Sequence, residues 1–509
     1  MNLLEISIKN KIIDFSDLKN CINPGEVVVQ SHGVFDLLHI GHIKHFQAAK
    51  SHGDVLVVTV TPDRFVNKGP GRPRFTEKLR AEAIAALECV NFVIINRWPT
   101  AVEAIGMIKP AFYAKGDEYQ NDGNDITGKI SEEKESIQNV GGKVIFTHEP
   151  TFSSSSLLNE FYSPFLKEVT DYLNVFRRKY SFQDIYQYFE KAKTLKILLV
   201  GETIIDDYRF TDVIGKAGKE PTLVAKYKYR EIYLGGILAI ANHLSDFCKE
   251  VNCLTYLGEN AEYNDVINNN LKKNVTVTPI YKKNSPTIVK RRYLDEYLKQ
   301  KLFEEYEISD DFLENDQRDE FMGHLDRLLK DYDLVITADY GHGLLDDKSI
   351  GYLTKNAKFL AVNTQANAGN NGFNFISKYD RADYVVIASR ELQLNFRQKH
   401  LSLHEQMKRL MQEHDYQCAM VTSGKSGADI CKKGETIVNV PAFTTNIVDR
   451  IGAGDAVLSI SSLFAYQNSP SDLIAFIGNI AGTQAVNIMG NKNAIARVGF
   501  LKNIRHLLK

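Results

Sequence analysis

The sequence predicts two α/β domains in series, each built on a mostly parallel sheet. Short, nearly continuous apolar runs alternate with helical patterns, as strands covered on both faces do. That alternation opens twice, at Val27–Ser31 and at Lys196–Val200, and each opening runs into a glycine. The length, 509 residues, suits two to four domains at roughly 100–200 residues each.

In the first series, strands are expected at Val27–Ser31, Asp54–Thr61, Val90–Ile95, Ala111–Ala114 and Lys143–Thr147, with a helix from His39 to about Ala49. The stretch 164–194 has helical periodicity, no glycine, and many Tyr, Phe, Lys and Glu residues. It reads as a helical connector that packs on a domain. The second series has strands at Lys196–Val200, Asp333–Thr337, Phe359–Val362, Tyr384–Ile387 and Cys418–Thr422. The chain thus divides into 1–163, 164–194 and 195–509.

Composition narrows the function classes. Hydrophobic residues make up 44% and charged residues 25%, and the formal net charge is −1. No global basic field favours nucleic acid or an anionic membrane. The six cysteines contain no CxxC pair, so neither a zinc site nor a redox motif is indicated. Scattered thiols fit a reducing cytoplasm. No apolar run approaches the roughly 18 residues of a membrane span, and the N-terminus lacks a signal-peptide pattern. A cytoplasmic enzyme is the expectation.

The first candidate site is HGVFDLLHIGH, residues 32–42. His39 and His42 fall on one face at the start of a helix, near the positive end of its dipole. A strand, a tight loop and a helix N-terminus form a ready anion site. Nucleotidyl transfer needs charge stabilised on an α-phosphate as pyrophosphate leaves, and two hydrogen-bond donors at a helix N-terminus supply that. Gly33 lets backbone approach the phosphates, and Gly41 lets a nucleotide lie close to the helix. A metal site made by His39, His42 and His45 is the competing reading.

The second candidate site is DRIGAGDAVLSISSLFAY, opening at Asp449. Backbone N–H groups of Gly452, Ala453 and Gly454 can hold a transferring phosphoryl group. Asp455 can accept a proton from a substrate hydroxyl. An anion hole and a base are the minimum for kinase chemistry, with Mg²⁺ carried on the ATP phosphates.

Residues 27–160 resemble the cytidylyltransferase-like family, and in particular the nucleotidyltransferase half of the bifunctional heptose kinase/adenylyltransferases. The GxFDxxHxGH opening, Gly71-Arg72-Pro73 with Glu77-Lys78-Leu79-Arg80, Lys115-Gly116-Asp117-Glu118-Tyr119 and Thr151-Phe152-Ser153-Ser154-Ser155-Ser156 occur in the family's order. Glu118 replaces the acid of the family's KGxDY loop. The resemblance implies that His39 and His42 stabilise the transition state. It places Gly33, Phe35, Arg72, Arg80, Lys115, Gly116, Ser153, Ser154 and Ser155 around nucleotide or substrate phosphates, with Lys44 and Lys68 as further contacts.

Residues 196–509 resemble the ribokinase-like (PfkB) sugar kinases. The matching segments are Gly201-Glu202 with Asp206, the pair Gly235-Gly236, Asp339-Tyr340-Gly341-His342-Gly343 and Thr422-Ser423-Gly424-Lys425-Ser426-Gly427. The resemblance implies that Asp206, Gly235 and Gly236 meet the sugar, and that Thr422, Gly424 and Gly427 meet ATP. It also implies a small β lid, at Asp212–Tyr233 and Val277–Tyr306, and a homodimer through it.

Three departures stand out. Heptose kinases carry an Asn where Ala239 stands, their DPK strand reads Asn363-Thr364-Gln365, and their Asn-x-x-Glu segment reads Ser389-Arg390-Glu391-Leu392. They argue against carrying over heptose 7-phosphate as the acceptor. The Gly/Asn-rich segment Asn367–Asn374 is either a set of turns or a specificity element. The domain order is the reverse of that in the familiar heptose enzymes.

Together the resemblances imply a bifunctional enzyme making a nucleotide-activated sugar. A kinase would phosphorylate a heptose-like sugar or sugar phosphate with ATP. A nucleotidyltransferase would couple a sugar phosphate to a nucleotide from ATP or CTP. An alternative keeps only the transferase active, with the kinase fold as a binding or dimerisation module. Class I aminoacyl-tRNA synthetases also carry a HIGH element, but a KMSKS-like loop and a basic excess are missing here.

Overall fold

The computed structural model describes residues 8–66, 72–117, 129–147, 165–398, 400–444 and 447–508. The chain forms two compact units, Met1–Leu173 with Leu501–Lys509, and Asn174–Phe500.

The first unit is built on a five-stranded sheet: β1 (Val28–Gly33), β2 (Val55–Val60), β3 (Phe92–Ile95), β4 (Phe112–Gly116) and β5 (Lys143–Thr147). The order is β3-β2-β1-β4-β5, and every pairing is parallel. The β2 sequence, VLVVTV, is buried at every position, which is why it reads as an unbroken apolar run. Val29, Phe46, Leu56, Val58 and Ile84 pack on one face, and Phe15, Val57, Ile94 and Ala104 on the other. The chain winds outward in both directions from β1, so a crevice opens beyond the carboxyl ends of β1 and β4. Open α/β sheets bind ligands at such a switch point.

The second unit carries β6 (Lys196–Gly201), β7 (Thr203–Lys216), β8 (Leu223–Gly236), β9 (Glu250–Gly258), β10 (Val275–Lys282), β11 (Ile288–Asp295), β12 (Lys301–Glu307), β13 (Leu334–Asp339) and β14 (Leu360–Thr364). It continues with β15 (Arg381–Ala382), β16 (Tyr384–Ala388), β17 (Asp415–Tyr416), β18 (Cys418–Thr422), β19 (Ala428–Lys432) and β20 (Val438–Val440). The main sheet runs β10-β9-β6-β13-β14-β16-β18-β19-β20. It is parallel as far as β18 and antiparallel at its last two strands. A second sheet, β12-β11-β7-β8, stands as the lid, and β15 and β17 pair separately.

The lid differs from the expectation in its bounds. Val277 to Lys282 belong to β10, at the edge of the main sheet, and β7 enters the lid from Thr203 rather than Asp212. The outer halves of β7 and β8 are exposed and polar-rich, so they lack the continuous apolar run that marks a buried strand. The stretch read as a connector holds the helices Lys167–Lys179 and Phe182–Ala192. In the second of these Phe189 is buried among Phe247, Phe464 and Phe500.

The helix Ala453–Tyr466 is buried along most of its length. Its serines would be costly there without partners. Ser459, Ser461 and Ser462 instead donate to the carbonyls of Ala456, Val457 and Leu458, at 2.8, 2.6 and 2.6 Å.

Candidate active sites

The first site lies beyond β1. Phe35 sits in the left-handed region at φ 52°, and its ring folds back over Gly33. A Cβ on Gly33 would meet that ring at 2.8 Å, so this position has no room for a side chain. His39 caps the helix Ile40–Lys50. Its Nδ1 accepts from the Gly41 N–H at 3.1 Å. In the neutral ring the proton is then on Nε2, and Nε2 has no hydrogen-bond partner among the described residues. Burial lowers the His39 pKa. The His42 ring stacks on His39, with centroids 3.9 Å apart, and meets Phe35 edge-on at 5.3 Å.

His45 does not join this pair in a metal-type cluster. Its Nε2 bonds Ser31 Oγ at 2.8 Å and its Nδ1 bonds Thr147 Oγ1 at 2.7 Å. Both ring nitrogens are committed, and burial, with Lys115 nearby, lowers its pKa to about 4. His32 is held in the same way by Thr59 and Thr61. Burial first, then Lys115, brings its pKa to about 4.

The expected basic contacts occupy distinct positions. Asp36, buried, accepts from Arg72 Nη1 at 3.1 Å and from the backbone N–H groups of Arg74 and Phe75 at 2.6 and 3.2 Å. Arg80 is 2% exposed. It donates to Phe75 O, Val34 O, Thr61 O and Asp63 Oδ1. The structure thus places Arg80 as a brace under the loop rather than as a free phosphate donor. Lys115, at the end of β4 beside Gly116, pairs with Glu133 at 2.8 Å. Burial alone would raise the Glu133 pKa; Lys115, helped by His32 and Tyr113, offsets it, and the net shift is downward. Lys44 is exposed. Lys68, Gly71, Glu118, Tyr119, Ser153, Ser154 and Ser155 lie outside the described residues.

The second site gathers around Asp455, in the first turn of Ala453–Tyr466. Gly452 precedes that turn at φ 78°, and a Cβ on it would lie 2.3 Å from Asn491 Oδ1. Asp455 Oδ1 accepts from Tyr340 OH at 2.9 Å and from Gln365 Nε2 at 3.0 Å. Its other oxygen accepts no hydrogen bond among the described residues. Burial raises the Asp455 pKa to about 6, against the hydrogen bond from Tyr340.

Asp206 lies on β7, with Oδ1 paired to Arg292 Nη1 and Oδ2 accepting from Asn491 Nδ2 at 3.0 Å. Gly235 is required beside it, because a Cβ there would come within 2.5 Å of Asp206 Oδ2. On Gly236, at φ 55°, a Cβ would lie 2.5 Å from Glu202 O. Glu202 accepts from the N–H groups of Tyr340 and His342, each at 3.0 Å. Burial, with Asp339 adding to it, raises its pKa to about 7.

The loop expected to meet ATP follows β18. Thr422 ends the strand, Gly424 and Gly427 take φ 56° and 85°, and a Cβ on Gly427 would be 2.0 Å from Val440 O. Ser423 Oγ, in the same turn, is buried without a partner among the described residues. Glu391, the displaced acid, accepts from Ala388 and Ala366 N–H at 2.7 and 3.2 Å, and burial raises its pKa to about 7.

The segment Asn367–Asn374 is a hydrogen-bonded knot. Asn367 and Asn370 exchange backbone-to-side-chain bonds at 3.0 Å, both donate to Tyr340 O, and Asn374 donates to Asp339 O at 2.8 Å. It clamps the ends of β13 and β14 that deliver Tyr340 and Gln365.

Sequence reasoning passed over Lys290, Arg292 and Asn491. The first two alternate along β11, and Arg291 between them faces the other way, toward Asp207 and Glu305. That period-two pattern in KRR was the available signal.

Fold and site define the class: a doubly wound parallel-sheet unit with stacked histidines beyond its first strand, and a second α/β unit with a buried acid at a glycine-opened helix start and a separate four-stranded sheet. Residues 194–490 match the family described as pfkB family carbohydrate kinase, and residues 31–161 match the one described as Cytidylyltransferase-like. The chain belongs to the pfkB family of carbohydrate kinases, with a cytidylyltransferase-like domain ahead of the kinase domain.

Curated relatives resemble the N-terminal domain. Bifunctional protein HldE of Geobacter metallireducens is 40% identical over 122 residues, 24% of this chain and 24% of that protein. That of Sulfurimonas denitrificans is 43% identical over 122 residues, 23% and 25% of the two chains. The chain therefore spans about a quarter of the length of the curated relatives it matches. Among solved structures, Escherichia coli phosphofructokinase-2 in complex with potassium is 14% identical at a TM-score of 0.48, covering 60% of this chain and 97% of that one. Thermotoga maritima ribokinase is 18% identical at 0.47, covering 61% and 100%. Among the described residues, no helix is long and apolar enough to cross a membrane.

Proposed function

We propose that the chain is a bifunctional transferase that phosphorylates a heptose-like sugar or sugar phosphate and joins a sugar phosphate to a nucleotide. The observation that carries the kinase half is Asp455: one carboxylate oxygen is held by Tyr340 and Gln365, beside a glycine-opened helix N-terminus. Asp455 takes the proton of the acceptor hydroxyl. That oxygen attacks the γ-phosphorus of ATP, the bond to the bridging oxygen breaks, and ADP leaves. Gly452, Ala453 and Gly454 cradle the moving phosphoryl group.

In the transferase half, His39 presents Nε2–H and His42 lies stacked beside it at the switch point. Together they stabilise the charge on the α-phosphate of ATP or CTP as the sugar phosphate oxygen attacks and pyrophosphate departs. Mg²⁺ would come with the nucleotide phosphates and neutralise part of their charge. Near the kinase site Asp206 and Glu391 are already engaged by Arg292, Asn491 and backbone N–H groups, so the fit is to a cation held mainly by phosphate and water.

Two products separate the halves. His42→Ala should abolish sugar-dependent pyrophosphate release and leave ADP formation intact, and Asp455→Asn should do the reverse. Loss of both activities from either change, in a folded protein, would defeat the two-site reading. A homodimer through the lid is the proposed assembly, to be read by light scattering.

A further inference from the structure

The inner face of the lid holds a buried lysine that forms no salt bridge among the described residues. Lys290 is 6% exposed and lies in register with Asp206 across the parallel pair β11 and β7. Among the described residues it makes no ion pair and no side-chain hydrogen bond, and its ammonium rests 5.2 Å from the Tyr306 ring centroid. A lysine is rarely buried without a partner.

The neighbouring carboxylates are already held. Asp206 has Arg292 on one oxygen and Asn491 on the other, and Arg292 also reaches Glu304 at 3.3 Å. Asp455 has Tyr340 and Gln365 on Oδ1. Both acids act on the charge of Lys290 without touching it. Lys290 thus shares the lid face of Asp206, whose partner Asn491 also borders Gly452 at the start of the glycine-opened helix.

We propose that Lys290 is a catalytic residue of the kinase half, donating from the lid to the phosphoryl oxygens as they pass from ATP to the acceptor hydroxyl. This rests on the kinase reading above. The bond changes are those of that reading, and Lys290 keeps its protons throughout, supplying charge where negative charge spreads over the equatorial oxygens. The lid then completes the reaction centre rather than only covering the sugar.

The test uses the full chain, [γ-³²P]ATP and a panel of ribose, hexose 6-phosphates and sedoheptulose 7-phosphate, with the best acceptor carried into the variants. Lys290→Met should lower kcat about a hundredfold, the order seen when one transition-state donor is removed. ADP affinity and thermal midpoint should stay at the wild-type values, and Lys290→Arg should recover a substantial part of kcat. A Lys290→Met enzyme within about threefold of wild type would overturn the assignment and leave the kinase reading standing. A wild-type chain that labels no acceptor would overturn the kinase reading, and this proposal with it.

Discussion

Tyr340 donates its phenolic hydrogen to Asp455 Oδ1 at 2.9 Å, from a residue 115 positions earlier in the chain. The bond favours the ionised carboxylate against a burial that pushes its pKa up to about 6. Tyr340→Phe removes that support. A buried hydrogen bond to a charged group contributes about 1.5 kcal/mol, close to one pH unit. The acid limb of the kinase pH–rate profile should therefore move upward from about 6 by about one unit. An unmoved limb would show that Asp455 is not the group being titrated.

Gln365 makes the second bond to the same oxygen, at 3.0 Å, and stands at the end of the strand clamped by the Asn367–Asn374 knot. Asn370→Ala should loosen that strand end, because Asn370 donates to both Tyr340 O and Gln365 O. Kinase kcat should fall about tenfold while transferase turnover is unchanged. Equal loss in both activities would count against a local effect.

Gly452→Ala places a methyl 2.3 Å from Asn491 Oδ1 at a positive φ. Strain of this kind costs on the order of 1–3 kcal/mol. Asn491 also steadies Asp206, so the variant should lose kinase turnover and raise the KM for the acceptor together. A normal acceptor KM would separate Asn491 from the sugar side.

Arg80 braces the first unit through four oxygens. Arg80→Ala removes the donor to Asp63 Oδ1 and to three carbonyls, while Asp63 Oδ2 keeps the Glu77 N–H at 3.1 Å. Breaking a buried charged pair costs about 3–5 kcal/mol, although Asp63 is itself 37% exposed, so the lower part of that range is expected. Calorimetry should show an earlier unfolding transition, with ADP formation preserved at low temperature.

His32 and His45 have folded pKa values near 4, below the usual 6.5. A depressed histidine binds fewer protons folded than unfolded, so the stability it contributes is present above about 6.5 and is lost as pH falls toward 4. The thermal midpoint of the first unit should drop across that window. His45→Gln should flatten the drop.

Much of both candidate sites is local and was therefore legible in the sequence. His39 and His42 meet because a helix start places residues three apart on one face, and Gly452, Ala453, Gly454 and Asp455 are consecutive. The ten strands read from apolar runs appear within a few residues of their expected ends because buried parallel strands leave unbroken apolar segments. What surrounds those residues is non-local. Asp206 meets Arg292 from 86 positions away and Asn491 from 285, and Arg80 turns inward because Asp63 and three carbonyls lie within its reach. Lys290 looks like any surface lysine until pairing with β7 turns it inward. Local periodicity fixes which face of its own element a side chain occupies; which partners that face then meets depends on sheet order and register, set only when strands distant in sequence come together.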